Sequence, residues 1–334
     1  MNIDFIEKKN RLLRDLGFVE KEILKDGTFS GRFVILGEYH KEQAIIRVIA
    51  SDDQDNIKKL KREILSVEAV QLDNKIKNCI IAKQLKNGKT DEFVWSIRKY
   101  YNYKILADQA LDKKGLFHGF DTIDNEFVLQ YRPIIKSMVE NLEILQSTAD
   151  YYRTKYNVSD LISEKYLFDF SKFNYKLLAR AIPMNFDILK DLYKSQSNFY
   201  NYQKNLVPCH GDLSPANLLI DNKKNTIMLD LEYFCFDHSF LDVVYFYLFV
   251  WRYPKWQEEI IQKIIITEQD KINFRISVIR IILSCYNEGL EGFKKYDDDL
   301  LSQKIPLYRD HIWPKYLQAA GESFEAIVKV KTEE

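Results

Sequence analysis

The stretch His210-Gly-Asp212-Leu-Ser-Pro-Ala-Asn217-Leu-Leu-Ile-Asp-Asn-Lys-Lys-Asn-Thr-Ile-Met-Leu-Asp230-Leu-Glu232 carries two short apolar runs, LLI at 218–220 and IML at 227–229, around the turn-rich DNKKNT. Runs of this kind pair as a hairpin. Asn217 enters the ladder and Asp230 leaves it, so two oxygen ligands far apart in sequence finish side by side. An amide carbonyl and a carboxylate make an incomplete cage for a hard cation, suited to Mg²⁺ that takes its other ligands from phosphates and water. Asp212, on the loop leading to the same end, is placed to accept the proton of a hydroxyl attacking phosphorus. His210 supports the loop by hydrogen bonds.

Working outward, FVEKEIL, RFVILGE and QAIIRVIA between residues 18 and 50 predict three antiparallel strands. Over 53–73, Ile57, Leu60, Ile64, Val67 and Val70 recur at steps of three and four, the mark of an amphipathic helix. CIIAKQL and FVWSI flank an NGKT turn as a hairpin, and EFVLQY reads as a further strand before Pro133. Residues 100–120 have no clear pattern. Beyond Pro133 the chain is mainly helical, interrupted only by the segment at 210–230. The expected fold is α+β and bilobal, with a small antiparallel sheet lobe carrying one helix (residues 1–131) and a larger helical lobe (132–334). Clefts between such lobes bind ligands.

HGDLSPANLL followed by IMLDLE resembles the aminoglycoside phosphotransferase and choline kinase superfamily, which has the protein-kinase-like fold. The resemblance implies that Asp212 is the catalytic base and that Asn217 and Asp230 are Mg²⁺ ligands. Asp237-His-Ser-Phe-Leu-Asp242 is similar to a later segment of that family, and implies that Asp242 anchors the catalytic loop. Protein kinases place a phosphate-binding Lys on the third strand and a Glu on the next helix. Here Arg47 shares a strand face with Ile45 and Ile49, so this lone charge needs a partner, and Glu63 on the following helix is the candidate. The loop Asp26-Gly-Thr-Phe-Ser30-Gly31 could fold over phosphates, and Gln130-Tyr131-Arg-Pro133 is where a hinge would meet the purine.

The chain has 334 residues, 49 basic against 49 acidic, and 46% hydrophobic residues, enough for a core in each of about two domains. Neither half has the basic excess of a phosphate-backbone binder, so no nucleic-acid partner is expected. Cys79, Cys209, Cys235 and Cys285 have neither zinc nor disulfide-framework spacing. The charged N-terminus contains no apolar leader, and the longest apolar run, 243–251, falls well short of the ~20 residues a membrane span needs. A cytoplasmic protein without a membrane span is expected. None of these motifs speaks to oligomeric state.

The reading is a kinase moving the γ-phosphoryl of ATP or GTP to a hydroxyl of a small molecule. An aminoglycoside-type antibiotic is the first choice of acceptor, followed by choline, ethanolamine, an amino acid alcohol or a sugar. Glu288 and Glu291, just before Asp297-Asp-Asp299, could attract a cationic acceptor, and Glu232 could assist the metal or such an acceptor or simply cap a turn. The rival is a kinase-like module without turnover, which usually lacks one of Asp212, Asn217 and Asp230.

Overall fold

The computed structural model describes residues 3–25, 32–72, 80–106, 130–162, 205–251, 253–295 and 313–333, with isolated positions between 185 and 191. A five-stranded antiparallel sheet comes first, in the order β1-β2-β3-β5-β4. Its strands are β1 (Phe18–Lys25), β2 (Arg32–Tyr39), β3 (Glu42–Ala50), β4 (Gln84–Lys89) and β5 (Phe93–Lys99). The alternation read from sequence is realised in β2, where Phe33, Ile35 and Tyr39 enter one core and Val34 turns to the other face.

That core is closed by a helix the sequence reading missed, α1 (Ile3–Leu16), through Leu12 and Leu13. Its apolar stripe is interrupted by Lys9, yet Lys9 is 3% exposed and pairs with Glu20 at 2.9 Å. A buried lysine satisfied across the sheet disguises an amphipathic helix as a charged tail. The expected second helix, α2 (Gln54–Leu72), packs Ile57 and Leu60 on Ile49. Among the described residues the lobe therefore carries two helices where one was expected.

The β4–β5 hairpin is shifted from its expected register. Gly88 of the NGKT segment lies inside β4, where a Cβ would stand 2.6 Å from the Trp95 ring. The turn forms instead at Asp91 and Glu92, closed by Thr90 N donating to Phe93 O at 2.8 Å. Residues 80–82 leave the hairpin for the other lobe, where the Ile80 carbonyl accepts from Met228 N at 2.8 Å.

The chain crosses between lobes at residues 100–103. Immediately after it β6 (Lys104–Ile105) pairs with β8 (Leu218–Ile220), whose other neighbour is β9 (Thr226–Met228). Gln130 and Tyr131 do not form a hinge: Gln130 precedes and Tyr131 opens α3 (Tyr131–Ser147), with Pro133 in its first turn, where a missing N–H costs nothing. Tyr131 is buried in the large-lobe core within 6.2 Å of the Trp256 ring.

That larger core surrounds α3, α4 (Ala149–Lys155), α5 (Leu241–Phe249), α6 (Pro254–Ile264), α7 (Glu268–Lys295) and α8 (Trp313–Glu333). The short strands β7 (Val207–Cys209) and β10 (Cys235–Asp237) pair beside it. Ser137 and Asn141 of α3 hold the hairpin in place: Asn141 Nδ2 donates to the Thr226 carbonyl at 2.7 Å, and Thr226 N donates to Ser137 Oγ at 2.9 Å. Among the described residues no helix is long and apolar enough to cross a membrane.

Candidate active site

The segment at 210–217 links β7 to β8 and is tied down from below. Asp242, fully buried in the first turn of α5, accepts from His210 N at 2.7 Å and Gly211 N at 2.9 Å. Burial pushes its carboxyl above the usual range although both amides and His210 favour the ionised form. Gly211 has φ +81°, and a Cβ there would lie 2.2 Å from the Tyr233 carbonyl. Only glycine fits that backbone and that contact. The buried His210 ring has a fixed role at each nitrogen, Nε2 donating to the Leu229 carbonyl at 2.7 Å and Nδ1 accepting from Asp212 N at 3.3 Å. It ties the loop to the strand leaving the hairpin, one residue before Asp230.

Asn217 and Asp230 sit where the hairpin begins and ends, joined by Leu229 N donating to the Asn217 carbonyl at 2.8 Å. The Asn217 amide nitrogen donates to the Asp212 carbonyl at 2.8 Å and to Asp212 Oδ2 at 3.3 Å, leaving its side-chain oxygen for another partner. Asp230 has left-handed φ and ψ of 56° and 50°. A non-glycine residue in that conformation costs about 1–2 kcal/mol, least for Asp and Asn, and such strain collects at functional sites. From α5, the Tyr245 hydroxyl hydrogen-bonds Asp212. Burial, with Cys285 and Asp212 nearby, keeps that phenol protonated well above its ordinary range.

Arg47 reaches down from β3 with Nη1 on Glu63 and Nη2 on Asp230 Oδ1, the latter at 2.8 Å. Burial opposes its charge, but Glu63 and Asp230 outweigh it and hold the guanidinium more firmly cationic than usual. For Asp230 burial likewise pushes up, while Arg47 and then Arg32 win and hold the carboxyl below its ordinary range. Glu63 is gripped from its other side by Arg98 of β5, whose Nη1 lies 3.0 Å from Glu63 Oε1 and whose Nη2 donates to the Glu63 carbonyl at 2.7 Å. Burial lowers the Arg98 pKa, with Arg47 adding to that effect and Glu63 resisting it.

A cavity of about 430 Å³ opens between the lobes above these groups. Arg47, Asn217 and Asp230 line one end, while Val34 and Ile45 above and Leu219 below form an apolar slot toward Tyr100 and Tyr103 of the crossing segment. Gln130 and Tyr131 are absent from its lining. Ser30 and Gly31 lie outside the described residues, as do the side chains of Glu288 and Glu291 and the whole of 297–299. The Glu232 carboxylate pairs with Arg32 at 3.2 Å and Lys59 at 3.3 Å.

Sequence reasoning missed Arg98, Tyr245, Arg32 and Lys59. Arg98 was findable, since a charge on the apolar strand beside Arg47 obeys the same need for a partner. Two oxygen donors with the rest of a coordination sphere open fit Mg²⁺ carried on phosphates. The unengaged Asn217 side-chain oxygen and the second Asp230 oxygen supply that pair. Among the described residues no three His, Cys, Asp or Glu side chains converge as a closed metal cage.

The sequence profile of a phosphotransferase enzyme family matches residues 153–270, the part that holds the loop, the hairpin and Asp242. The resemblance read from the motifs, and with it the phosphotransferase class, is borne out. No curated protein matches the chain by sequence. Among solved structures, a candidate aminoglycoside phosphotransferase from Ralstonia eutropha JMP134 is 13% identical, covering 96% of this chain and 98% of that one at TM-score 0.56. A point mutant of an aminoglycoside 2'-phosphotransferase of type IIIa, in complex with GDP, is 16% identical, with 96% and 99% covered and TM-score 0.53. Aminoglycoside phosphotransferase APH(4)-Ia is 11% identical, with 98% of each chain covered and TM-score 0.52. At these identities the likeness is one of fold, and the bilobal kinase-like architecture is borne out.

Proposed function

We propose that the chain transfers the γ-phosphoryl group of ATP or GTP to a hydroxyl of a small molecule. The observation that carries this reading is that Asn217 and Asp230 line the interlobe cavity beneath Arg47, with Asp212 hydrogen-bonded to Asn217 beside them. Asn217 and Asp230 would hold Mg²⁺, which supplies neutralisation of the transferring phosphate charge.

The chain's own groups do the rest by positioning and electrostatics. The apolar slot between Ile45 and Leu219 receives the purine and excludes water from it. Arg47, braced by Glu63 and Arg98, holds the phosphates. Asp212 orients the acceptor hydroxyl and takes its proton on a carboxylate oxygen, while Tyr245 and Asn217 fix that carboxylate by hydrogen bonds. Asp242 and His210 keep the loop that carries Asp212 in register with the hairpin. A reaction fed by ATP or GTP belongs in the cytoplasm.

The acceptor follows the motif resemblance: an aminoglycoside-type antibiotic, with choline, ethanolamine, amino acid alcohols and sugars as the alternatives. Two of the three structural neighbours above carry aminoglycoside phosphotransferase names and the third is a candidate for that activity. The test is nucleotide consumption with Mg²⁺, ATP and GTP run separately, across those acceptors. Consumption that one acceptor stimulates supports the reading. Plain nucleotide binding without turnover on any acceptor favours a silent kinase-like module.

A further inference from the structure

Glu232 stands two residues past Asp230, in the short 3-10 turn Leu231–Tyr233 of the large lobe. Three cations from three separate small-lobe elements reach it: Arg32 at the start of β2 at 3.2 Å, Lys59 of α2 at 3.3 Å and Arg47 of β3 at 3.9 Å. Its side chain is 12% exposed. The neighbouring Tyr233 adds its hydroxyl to Lys59 Nζ at 3.2 Å and offers its ring face to the same ammonium at 4.9 Å. The turn also backs the catalytic loop, because Gly211 leaves room for the Tyr233 carbonyl. One turn therefore touches β2, β3, α2 and the loop that carries Asp212.

We infer that Glu232 is a positioning residue: the latch that holds the small lobe closed on the large one and lets Arg47 change partners from Asp230 to the phosphates. The inference deepens the phosphotransferase reading and rests on it. Arg32, Arg47, Lys59 and Arg98 meet Glu63, Asp230 and Glu232 in one cluster, so the charges nearly balance before any phosphate arrives. Arg47 must leave Asp230 once that carboxylate accepts a cation and phosphates enter the cleft. Glu232 keeps Arg32 and Lys59 anchored through that exchange, and with them the closed lobe on which the geometry at Asp212 depends. Without its charge Arg32 and Lys59 lose their shared carboxylate while Arg47 keeps Glu63 and Asp230, so the local potential turns more positive and favours a bare polyphosphate, and the interlobe contact is lost.

The test compares wild type with Glu232→Gln, an isosteric change, and with Lys59→Gln at the other end of the contact. Calorimetry reads the binding of Mg²⁺-free ADP and GDP, and steady-state kinetics reads kcat, nucleotide KM and the Mg²⁺ requirement. Glu232→Gln should bind the Mg²⁺-free nucleotide at least about threefold more tightly while its kcat falls about tenfold or more, a split that simple unfolding does not produce. Lys59→Gln should lower kcat in the same direction, and the double variant should cost no more than Glu232→Gln alone, because both remove one contact. The inference is overturned by a Glu232→Gln kcat within about twofold of wild type, or by fully additive losses. A rise of about tenfold in the Mg²⁺ needed for half-maximal activity also overturns it, since that marks Glu232 as a metal ligand. If wild type binds neither nucleotide, the phosphotransferase reading itself fails, and the inference falls with it.

Discussion

Replacing Asp242 with Asn tests how the catalytic loop is held. The native carboxylate is fully buried and accepts two backbone amides, from His210 at 2.7 Å and Gly211 at 2.9 Å. Hydrogen bonds to a charged group are worth about 1.5–3 kcal/mol each, and a buried donor left unsatisfied costs about 1–3 kcal/mol. Asn keeps one acceptor oxygen and turns an NH₂ toward the second amide, so one charge-assisted bond is lost and two donors face each other. Removing a carboxylate that burial disfavours returns part of that loss. The net expectation is a destabilisation of about 3 kcal/mol, measured by urea unfolding. Because a displacement of about 1 Å at the reacting groups can cost on the order of 100-fold, kcat should drop by that order while nucleotide KM moves less than about fourfold. A variant within about 0.5 kcal/mol of wild type and within about threefold in kcat would refute the anchoring role.

Three further outcomes follow from the same geometry. Tyr245→Phe removes the hydroxyl that fixes Asp212 and should lower kcat by about tenfold with little change in thermal stability, as read by kinetics beside calorimetry. Gly211→Ala forces a Cβ to within 2.2 Å of the Tyr233 carbonyl at φ +81°, so it should abolish turnover and lower the melting temperature by several degrees; wild-type behaviour would contradict that contact. Burial, with Arg280 nearby, holds the His238 pKa well below its ordinary value, and Asp237, Ser277 and the Phe240 amide, which donates to Nδ1 at 3.1 Å, also face the ring. A depressed imidazole contributes stability above the unfolded pKa of about 6.5 that is lost as pH falls, at about 1.4 kcal/mol per unit. Relative to His238→Gln, which does not titrate, wild type should therefore lose about 1.4 kcal/mol between pH 7.5 and 5.5 in urea titrations, and a pH-independent difference would contradict the buried neutral ring. The comparison with the variant also cancels the opposing effect of Asp237 and Asp242, whose carboxyls burial pushes up.

What the sequence disclosed is what local chemistry dictates. The hairpin at 218–228 was legible because a turn-rich hexapeptide sits between two apolar runs, and β2 and β3 because buried positions alternate along them. Arg47 betrayed its need for Glu63 because a lone charge in an apolar strand must be satisfied. What stayed hidden depends on distant partners. Helix α1 is masked by Lys9, whose satisfaction comes from Glu20 across the sheet. The two-residue strand β6 has no pattern of its own and exists because residues 219 and 220 lie beside it. That gap led Gln130 and Tyr131 to be taken for the hinge, when Pro133 marks a first helical turn. Glu232 could be read three ways, because Arg32 and Lys59 approach it from the opposite end of the chain.

The most direct test of the central claim is to follow phosphoryl transfer to the acceptor by phosphorus NMR for wild type and Asp212→Ala, with nucleotide binding measured on the same samples. The account predicts a phosphorylated acceptor with wild type and none with the variant, while both bind Mg-nucleotide with nearly equal affinity. Product formed by Asp212→Ala at the wild-type rate would contradict it.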